Sequence, residues 1–246
     1  MAPEAAAVHR ALDGVRYRLR GALDLSAPAT SAAEVVVGGQ LFEFTAGPAG
    51  LGDDMAASLG IDAFDTELRF RGGTLHTATT STYDPGSKLV ENPVLVVWRG
   101  RHTSLVTRFY RATTADVLGL LRTVRLTEHD DGLVLEPEPG ADCRLAGPAG
   151  VVQEVPGLGL LEMTRRTGAH TRRLPPWQGH TTPSGELFRD TLTDGSPFFV
   201  LSGDTLWATV VPLAGTDPDR VPGLLDRCTL DADTRDAVPQ AASPAS

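Results

Sequence analysis

The chain has 246 residues, of which 41% are hydrophobic and 22% are charged, and its formal net charge is −9 because 31 acidic residues outnumber 22 basic ones. This composition is typical of a globular protein with one large domain or two small ones. The acidic balance disfavours nucleic-acid binding, because affinity for phosphate backbones depends on cationic side chains.

The N-terminal residues 1–14 are rich in alanine and leucine and are predicted to form a short lead helix. They lack the basic and apolar regions of a secretory signal, and no apolar run in the chain reaches the ~18 residues that a membrane span needs. We therefore expect a cytoplasmic protein without a membrane span. Cys143 and Cys228 match no metal motif and are expected to be reduced thiols in the core. The basic residues are one lysine, Lys88, and otherwise arginines, a bias typical of a GC-rich genome.

Several segments of strand length are enriched in apolar, β-branched and aromatic residues. Glycine-rich and Asp-Gly turn signals separate them, and strands joined by such short turns pair antiparallel. The predicted strands lie at 65–71, 74–82, 93–100, 103–110, 186–192, 197–203 and 204–211.

Two segments, 115–126 and 219–230, are predicted to form amphipathic helices, because each has apolar residues at positions i, i+3, i+4 and i+7. Thr113 is the expected N-cap of the first helix, and Asp217 followed by Pro218 is expected to start the second. The apolar positions are Val117, Leu120, Leu121 and Val124 in the first helix, and Val221, Leu224, Leu225 and Cys228 in the second.

An internal repeat connects these elements. Ala-Gly-Pro-Ala-Gly occurs at 46–50 and again at 146–150, and both halves continue with two strands and a helix in the same order. The predicted fold class is α+β, an internal duplication of an antiparallel β-meander closed by one amphipathic helix, with pseudo-symmetric halves. The predicted divisions after the lead helix are a first repeat at 15–131, a linker at 132–142, a second repeat at 143–231 and a disordered tail at 232–246.

The segment 161–180 places four arginines and a histidine within nine residues of an acidic chain. If Gly168 and Ala169 form a hairpin turn, Arg165 lies opposite Arg172, and facing like charges are destabilising. Carboxylates of the same chain, such as those of the Glu-Pro-Glu linker, solvent or an anionic partner would then neutralise them. The candidate residues for binding a ligand or partner are Arg165, Arg166, His170, Arg172, Arg173 and Trp177.

Standard catalytic motifs are absent from the sequence, which contains no GxSxG, HExxH, EF-hand or P-loop pattern. No two histidines have the spacing that places both imidazoles on one helix or strand face, so neither a metal site nor a cofactor is predicted. If the protein is a hydrolase, His170, His180 and Asp190 are the candidate participants.

Three functions are therefore considered. The first is a non-catalytic binding or scaffold protein that recognises a protein or an anionic small molecule between the two repeats. The second is a hydrolase-type enzyme whose polar site converges from both halves. The third is a component of a larger protein assembly that uses its sheet edges for strand addition.

Overall fold

The computed structural model describes residues 4–84, 86, 88–110 and 112–239. Within these residues the chain is mostly antiparallel β-sheet with a few short helices, which confirms the predicted α+β class. No helix in this part of the chain has the length and apolar character needed to cross a membrane.

The elements up to residue 121 are β1 (Ala5–Arg10), β2 (Arg16–Gly21), β3 (Ala29–Val37), β4 (Gln40–Pro48), α1 (Leu51–Ser58), β5 (Thr66–Phe70), β6 (Gly73–Thr79), β7 (Thr82–Asp84), β8 (Leu89–Glu91), β9 (Val94–Arg99), β10 (Thr103–Phe109) and α2 (Thr114–Leu121). The elements after it are β11 (Val124–His129), β12 (Gly132–Pro137), β13 (Cys143–Leu145), β14 (Gly150–Val155), β15 (Gly159–Arg165), α3 (Gly168–Arg173), β16 (His180–Thr182), β17 (Gly185–Thr191), β18 (Pro197–Ser202), β19 (Leu206–Val211), a 3-10 helix (Pro218–Arg220), α4 (Val221–Leu225) and β20 (Cys228–Asp233).

The chain divides into two compact units. The described residues of Met1–Ser31 and Ala149–Ala237 form unit 1, and those of Ala32–Pro148 and Val238–Ser246 form unit 2. These units differ from the predicted repeat boundaries, because the N-terminal strands join the C-terminal half: β2 pairs with β20. Pairing between strands from opposite ends of a chain leaves no local pattern in the sequence.

Unit 1 contains six strands in the order β14-β15-β19-β18-β17-β16, together with the strands β1-β2-β20. One face of the six-stranded part is core: Met163 and Ala208 are 0% exposed and alternate with exposed or partly exposed neighbours, and Leu201 is 1% exposed. Arg18 bonds to Asp231 and Asp233 at 3.3 and 2.7 Å, so ion pairs join the first strands of the chain to the last one.

Unit 2 contains six strands in the order β3-β4-β10-β9-β6-β5, with β13 beside β3, and the hairpins β11-β12 and β7-β8. Helix α1 covers one face of this sheet, where Ala56 packs with Leu95, Val97 and Val106. Trp98 is 3% exposed and its indole N–H donates to the carbonyl oxygen of Phe70 at 2.8 Å, so this side chain is part of the core of unit 2.

The seven predicted strands are confirmed by β5, β6, β9, β10, β17, β18 and β19. The predicted caps are also confirmed: Thr113 and Asp116 form a reciprocal capping box at α2, and the Asp217 side chain accepts the Asp219 amide at the 3-10 helix. Cys143 and Cys228 are free thiols, the first half-buried and the second buried.

The predicted lead helix at 1–14 is wrong over its described part, because residues 5–10 form strand β1 against β2. The helix propensity of alanine is a weak preference that strand pairing overrides. Both predicted helices also end early. Val124 begins β11 and Cys228 begins β20, so the fourth apolar position of each helical pattern belongs to a strand.

The predicted linker and tail are partly strand. Residues 132–137 of the linker form β12, which pairs with β11. Strand β20 extends to Asp233 in the predicted tail, and Val238 is only 7% exposed. Residues 240–246 of the predicted tail lie outside the described residues.

Candidate partner-binding segment

The arginine segment, defined here as residues 165–177, follows strand β15 in unit 1. Arg165 pairs with Leu206 of β19, and the Arg166 amide donates to the carbonyl oxygen of Thr205 at 2.8 Å. Thr167 then starts helix α3. The predicted hairpin turn at Gly168 and Ala169 is therefore wrong, and so is the expected cross-strand contact between Arg165 and Arg172.

A capping box accounts for the helix. The Thr167 hydroxyl accepts the His170 amide at 3.4 Å, and the His170 Nδ1 atom accepts the Thr167 amide at 3.2 Å. These bonds satisfy amide donors that a helix start otherwise leaves free. A threonine three residues before a histidine is a weaker capping signal than one before glutamate or glutamine, whereas Gly-Ala between two polar runs favours a turn.

Two of the four arginines contact their own chain. The Arg166 guanidinium donates to the carbonyl oxygen of Gly203 at 2.8 Å and to the Thr171 hydroxyl at 3.3 Å. Arg165 is half-buried and acts electrostatically on Asp13: burial raises the pKa of this carboxyl, whereas amide hydrogen bonds and the Arg165 charge oppose the rise. Arg165 and Arg166 are thus held within unit 1.

His170 lies against Trp207 of strand β19. The two rings are stacked, with centroids 4.7 Å apart and planes at 14°. Burial lowers the pKa of His170, and the charge of Arg173 lowers it further, so the imidazole is neutral at pH 7. A neutral, stacked histidine fixes α3 on the sheet and leaves the charge of the segment to the arginines.

The other two arginines of the segment and its tryptophan face solvent. Arg172 and Arg173 are exposed, and Trp177 is 63% exposed. Within the described part of the chain, none of the four arginines has a carboxylate within the salt-bridge distance of 4.0 Å.

The carboxylates that the sequence offered as internal partners pair with other residues. Glu138 lies 2.8 Å from Arg71, and Glu136 lies 3.8 Å from Arg125. Both carboxylates of the Glu-Pro-Glu stretch thus have their partners within unit 2.

The candidate catalytic residues each have a separate local partner. His180 bonds to Asp226 at 2.8 Å, and both side chains are exposed. Asp190 accepts a hydrogen bond from the amide of its neighbour Thr191. The His170 side chain caps α3 and stacks against Trp207. Among the described residues there is also no group of three or more histidine, cysteine, aspartate or glutamate residues that could hold a metal ion.

Two polar networks that the sequence analysis did not identify hold the scaffold together. Asp13 is 1% exposed and accepts the amides of Ala149 and Val15 at 3.0 and 3.3 Å, which fixes the N-terminal segment of unit 1. In unit 2, Glu128 accepts three amides and one hydroxyl from residues 101–103. A single acid before a loop glycine, or within a strand, carries no distinctive sequence signal.

Comparison of the chain with protein-family models, curated proteins and solved structures finds no match.

Proposed function

We propose that this protein is a non-catalytic binding protein whose arginine segment recognises a carboxylate-rich segment of a protein partner. The observation that carries the proposal is the exposure of Arg172, Arg173 and Trp177 with no carboxylate of the described chain within salt-bridge distance. In a chain with 31 acidic residues, internal neutralisation of these charges was available and is not used.

The chemistry of the exposed side chains suits such a partner. Guanidinium groups grip carboxylates in a bidentate manner, and arginine and tryptophan are the residue types that contribute most to binding energy at interfaces. The inner side chains support this role by their own contacts, since Arg166 and His170 fix α3 against strand β19. A fixed helix presents Arg172 and Arg173 without a large loss of backbone freedom on binding.

The proposal includes an origin by duplication. In support, the sheet strands and helices of the two units follow the same order: two strands, a helix, four strands and a second helix, with the hairpin β7-β8 as an addition in unit 2. The pattern of neighbours is also the same, β3-β4-β10-β9-β6-β5 in unit 2 and β14-β15-β19-β18-β17-β16 in unit 1. Helix α3 then corresponds to α1. Helix α1 contributes Ala56 to a core, whereas α3 has no buried residue, so we propose that the second copy of this helix was adapted for contact with a partner.

In-cell photo-crosslinking tests the proposal. A benzoylphenylalanine residue replaces Trp177 in the full chain, which is expressed in its own host, irradiated and digested, and the crosslinked peptide is sequenced. The matched control has the same residue at Val90, which is 62% exposed in unit 2. The expected result is one peptide, rich in aspartate and glutamate, from another protein.

The crosslink is expected to disappear when Arg172 and Arg173 are both changed to glutamine. Equal crosslinking from positions 177 and 90 would contradict the proposal. So would a crosslink that persists in the double-glutamine variant, or a peptide that comes from a second copy of this chain.

A further inference from the structure

A groove lies on the surface of unit 2. Its volume is about 700 Å³, and its walls include Leu41, Glu43, Met55, Arg108 and Tyr110. This volume is within the range of roughly 300–1,000 Å³ found for small-molecule sites.

The groove forms where helix α1 stops covering the sheet. Thr45 of β4 pairs with Val106 of β10, and Val106 is buried in the core beneath α1. Glu43 lies two residues before Thr45 on β4, and Arg108 lies two residues after Val106 on β10. Both are exposed on the same face of the sheet, because side chains alternate across a strand with period two. Helix α1 therefore closes one end of the groove through Met55 and leaves the outer ends of both strands open.

The walls of the groove expose large apolar side chains to solvent. Leu41 and Tyr110 are each 57% exposed. Phe42 lies on the opposite face of β4 from Leu41 and Glu43, where its half-buried ring packs against Phe109 with centroids 5.3 Å apart. Leu41, Met55 and Tyr110 thus provide an apolar surface of the kind found in ligand sites, and polar side chains such as Gln40 and Glu43 share the walls with them.

Arg108 supplies the polar feature of the groove. Its Nη2 atom lies 3.3 Å from the sulfur of Met55, and it has no carboxylate of the described chain within salt-bridge distance. Some other arginines of unit 2 form ion pairs, such as Arg71 with Glu138 and Arg99 with Asp53. The carboxylate of Glu43, which also lines the groove from β4, lies beyond salt-bridge distance of Arg108. The Arg108 guanidinium, held against a thioether in a groove that Leu41 and Tyr110 also line, can therefore pair with an anionic ligand.

We infer that this groove is a binding site for a small organic anion, whose carboxylate pairs with Arg108 and whose flat apolar body lies against Leu41 and Tyr110. The inference does not depend on the proposed partner of the arginine segment, because every residue that carries it belongs to unit 2.

Isothermal titration of the purified full chain with 2-naphthoate tests the site, and 2-naphthamide serves as an uncharged ligand of the same shape. The expected result is binding of one naphthoate per chain, with the amide binding more weakly. Loss of the charged hydrogen bonds in Arg108→Gln is expected to weaken naphthoate binding about tenfold or more. Tyr110→Ser tests the apolar wall separately and is also expected to weaken binding.

The matched control is Arg69→Gln, an exposed arginine on β5 that does not line the groove. It is expected to leave naphthoate binding unchanged. Thermal melting of each variant establishes that it is folded. No naphthoate binding in the millimolar range would overturn the inference, as would naphthoate affinity that is the same in the wild-type chain and the folded Arg108→Gln or Tyr110→Ser variant.

Discussion

Replacing Glu128 with alanine is expected to lower the free energy of unfolding by about 3 kcal/mol. In the native structure this carboxylate, on β11, anchors the turn between β9 and β10. Oε2 accepts the Arg101 amide at 2.8 Å, and Oε1 accepts the His102 and Thr103 amides at 2.6 and 2.8 Å and the Thr103 hydroxyl at 2.9 Å. The turn also needs Gly100, because a Cβ atom there would lie 2.6 Å from Oε1 of Glu128.

The magnitude follows from which donors water can reach after the substitution. Arg101 and His102 are exposed, so solvent replaces the carboxylate at their amides. Thr103 is 8% exposed, and its amide and hydroxyl lose partners that water replaces poorly. Two such bonds to a charged acceptor, at about 1.5 kcal/mol each, give the total of about 3 kcal/mol. At roughly 2–4 °C per kcal/mol for a chain of this size, Tm should fall by about 6–12 °C.

Urea unfolding at several pH values is the appropriate assay, with Glu136→Ala as the control. Glu136 forms only a 3.8 Å pair with Arg125 between half-exposed side chains, so its loss should change stability by less than about 1 kcal/mol. Burial raises the pKa of Glu128, but the hydrogen bonds from residues 101–103 outweigh this and lower it overall. The stabilisation is therefore present above the ordinary glutamate pKa and is lost as pH falls through the lowered value.

The difference between wild type and Glu128→Ala should accordingly be constant near neutral pH and shrink in acid. A Glu128→Ala variant as stable as the control, or a difference that grows as the pH falls, would refute this account of the turn.

Four further predictions concern the fold. Asp13→Ala should reduce the free energy of unfolding by about 2–5 kcal/mol in a urea titration, because it leaves two buried amides without an acceptor. Gly159→Ala should cost roughly 1–3 kcal/mol, since φ at this glycine is +121° and a Cβ atom would lie 2.3 Å from a carbonyl oxygen. By contrast, Gly119→Ala in α2, where a Cβ atom meets nothing within 4 Å, should stabilise by about 0.5–1 kcal/mol. Because burial lowers the pKa of His170, wild type should lose stability as pH falls below the ordinary histidine range, and His170→Gln should lack this part of the pH dependence of unfolding.

The sequence predicted the parts of the fold that depend on local chemistry. Strands bounded by turn signals and the cap at Thr113 are present because the residues that encode them are neighbours in the chain. Strand β1 was missed because an alanine-rich segment is placed by its pairing with β2, and the ends of both helices were missed because Val124 and Cys228 continue the apolar pattern into a strand.

The candidate sites show the same division. The arginine segment was identifiable from composition, but its conformation was not, since the choice between a hairpin and α3 depends on whether Thr167 caps the helix. The groove of unit 2 had no sequence signal, because its walls come from β4 and β10, which are distant in the sequence and adjacent only through sheet pairing. Residues brought together by pairing can be recognised only when the strand order is known.

The central claim, that the arginine segment binds an acidic partner, is tested most directly by native mass spectrometry of the full chain purified gently from its own host. The predicted result is a stoichiometric complex with another polypeptide for the wild-type chain, retained in Arg69→Gln and lost in the variant with glutamine at Arg172 and Arg173. A wild-type chain that is recovered without a partner, or a complex equally abundant in the double-glutamine variant, would contradict the claim.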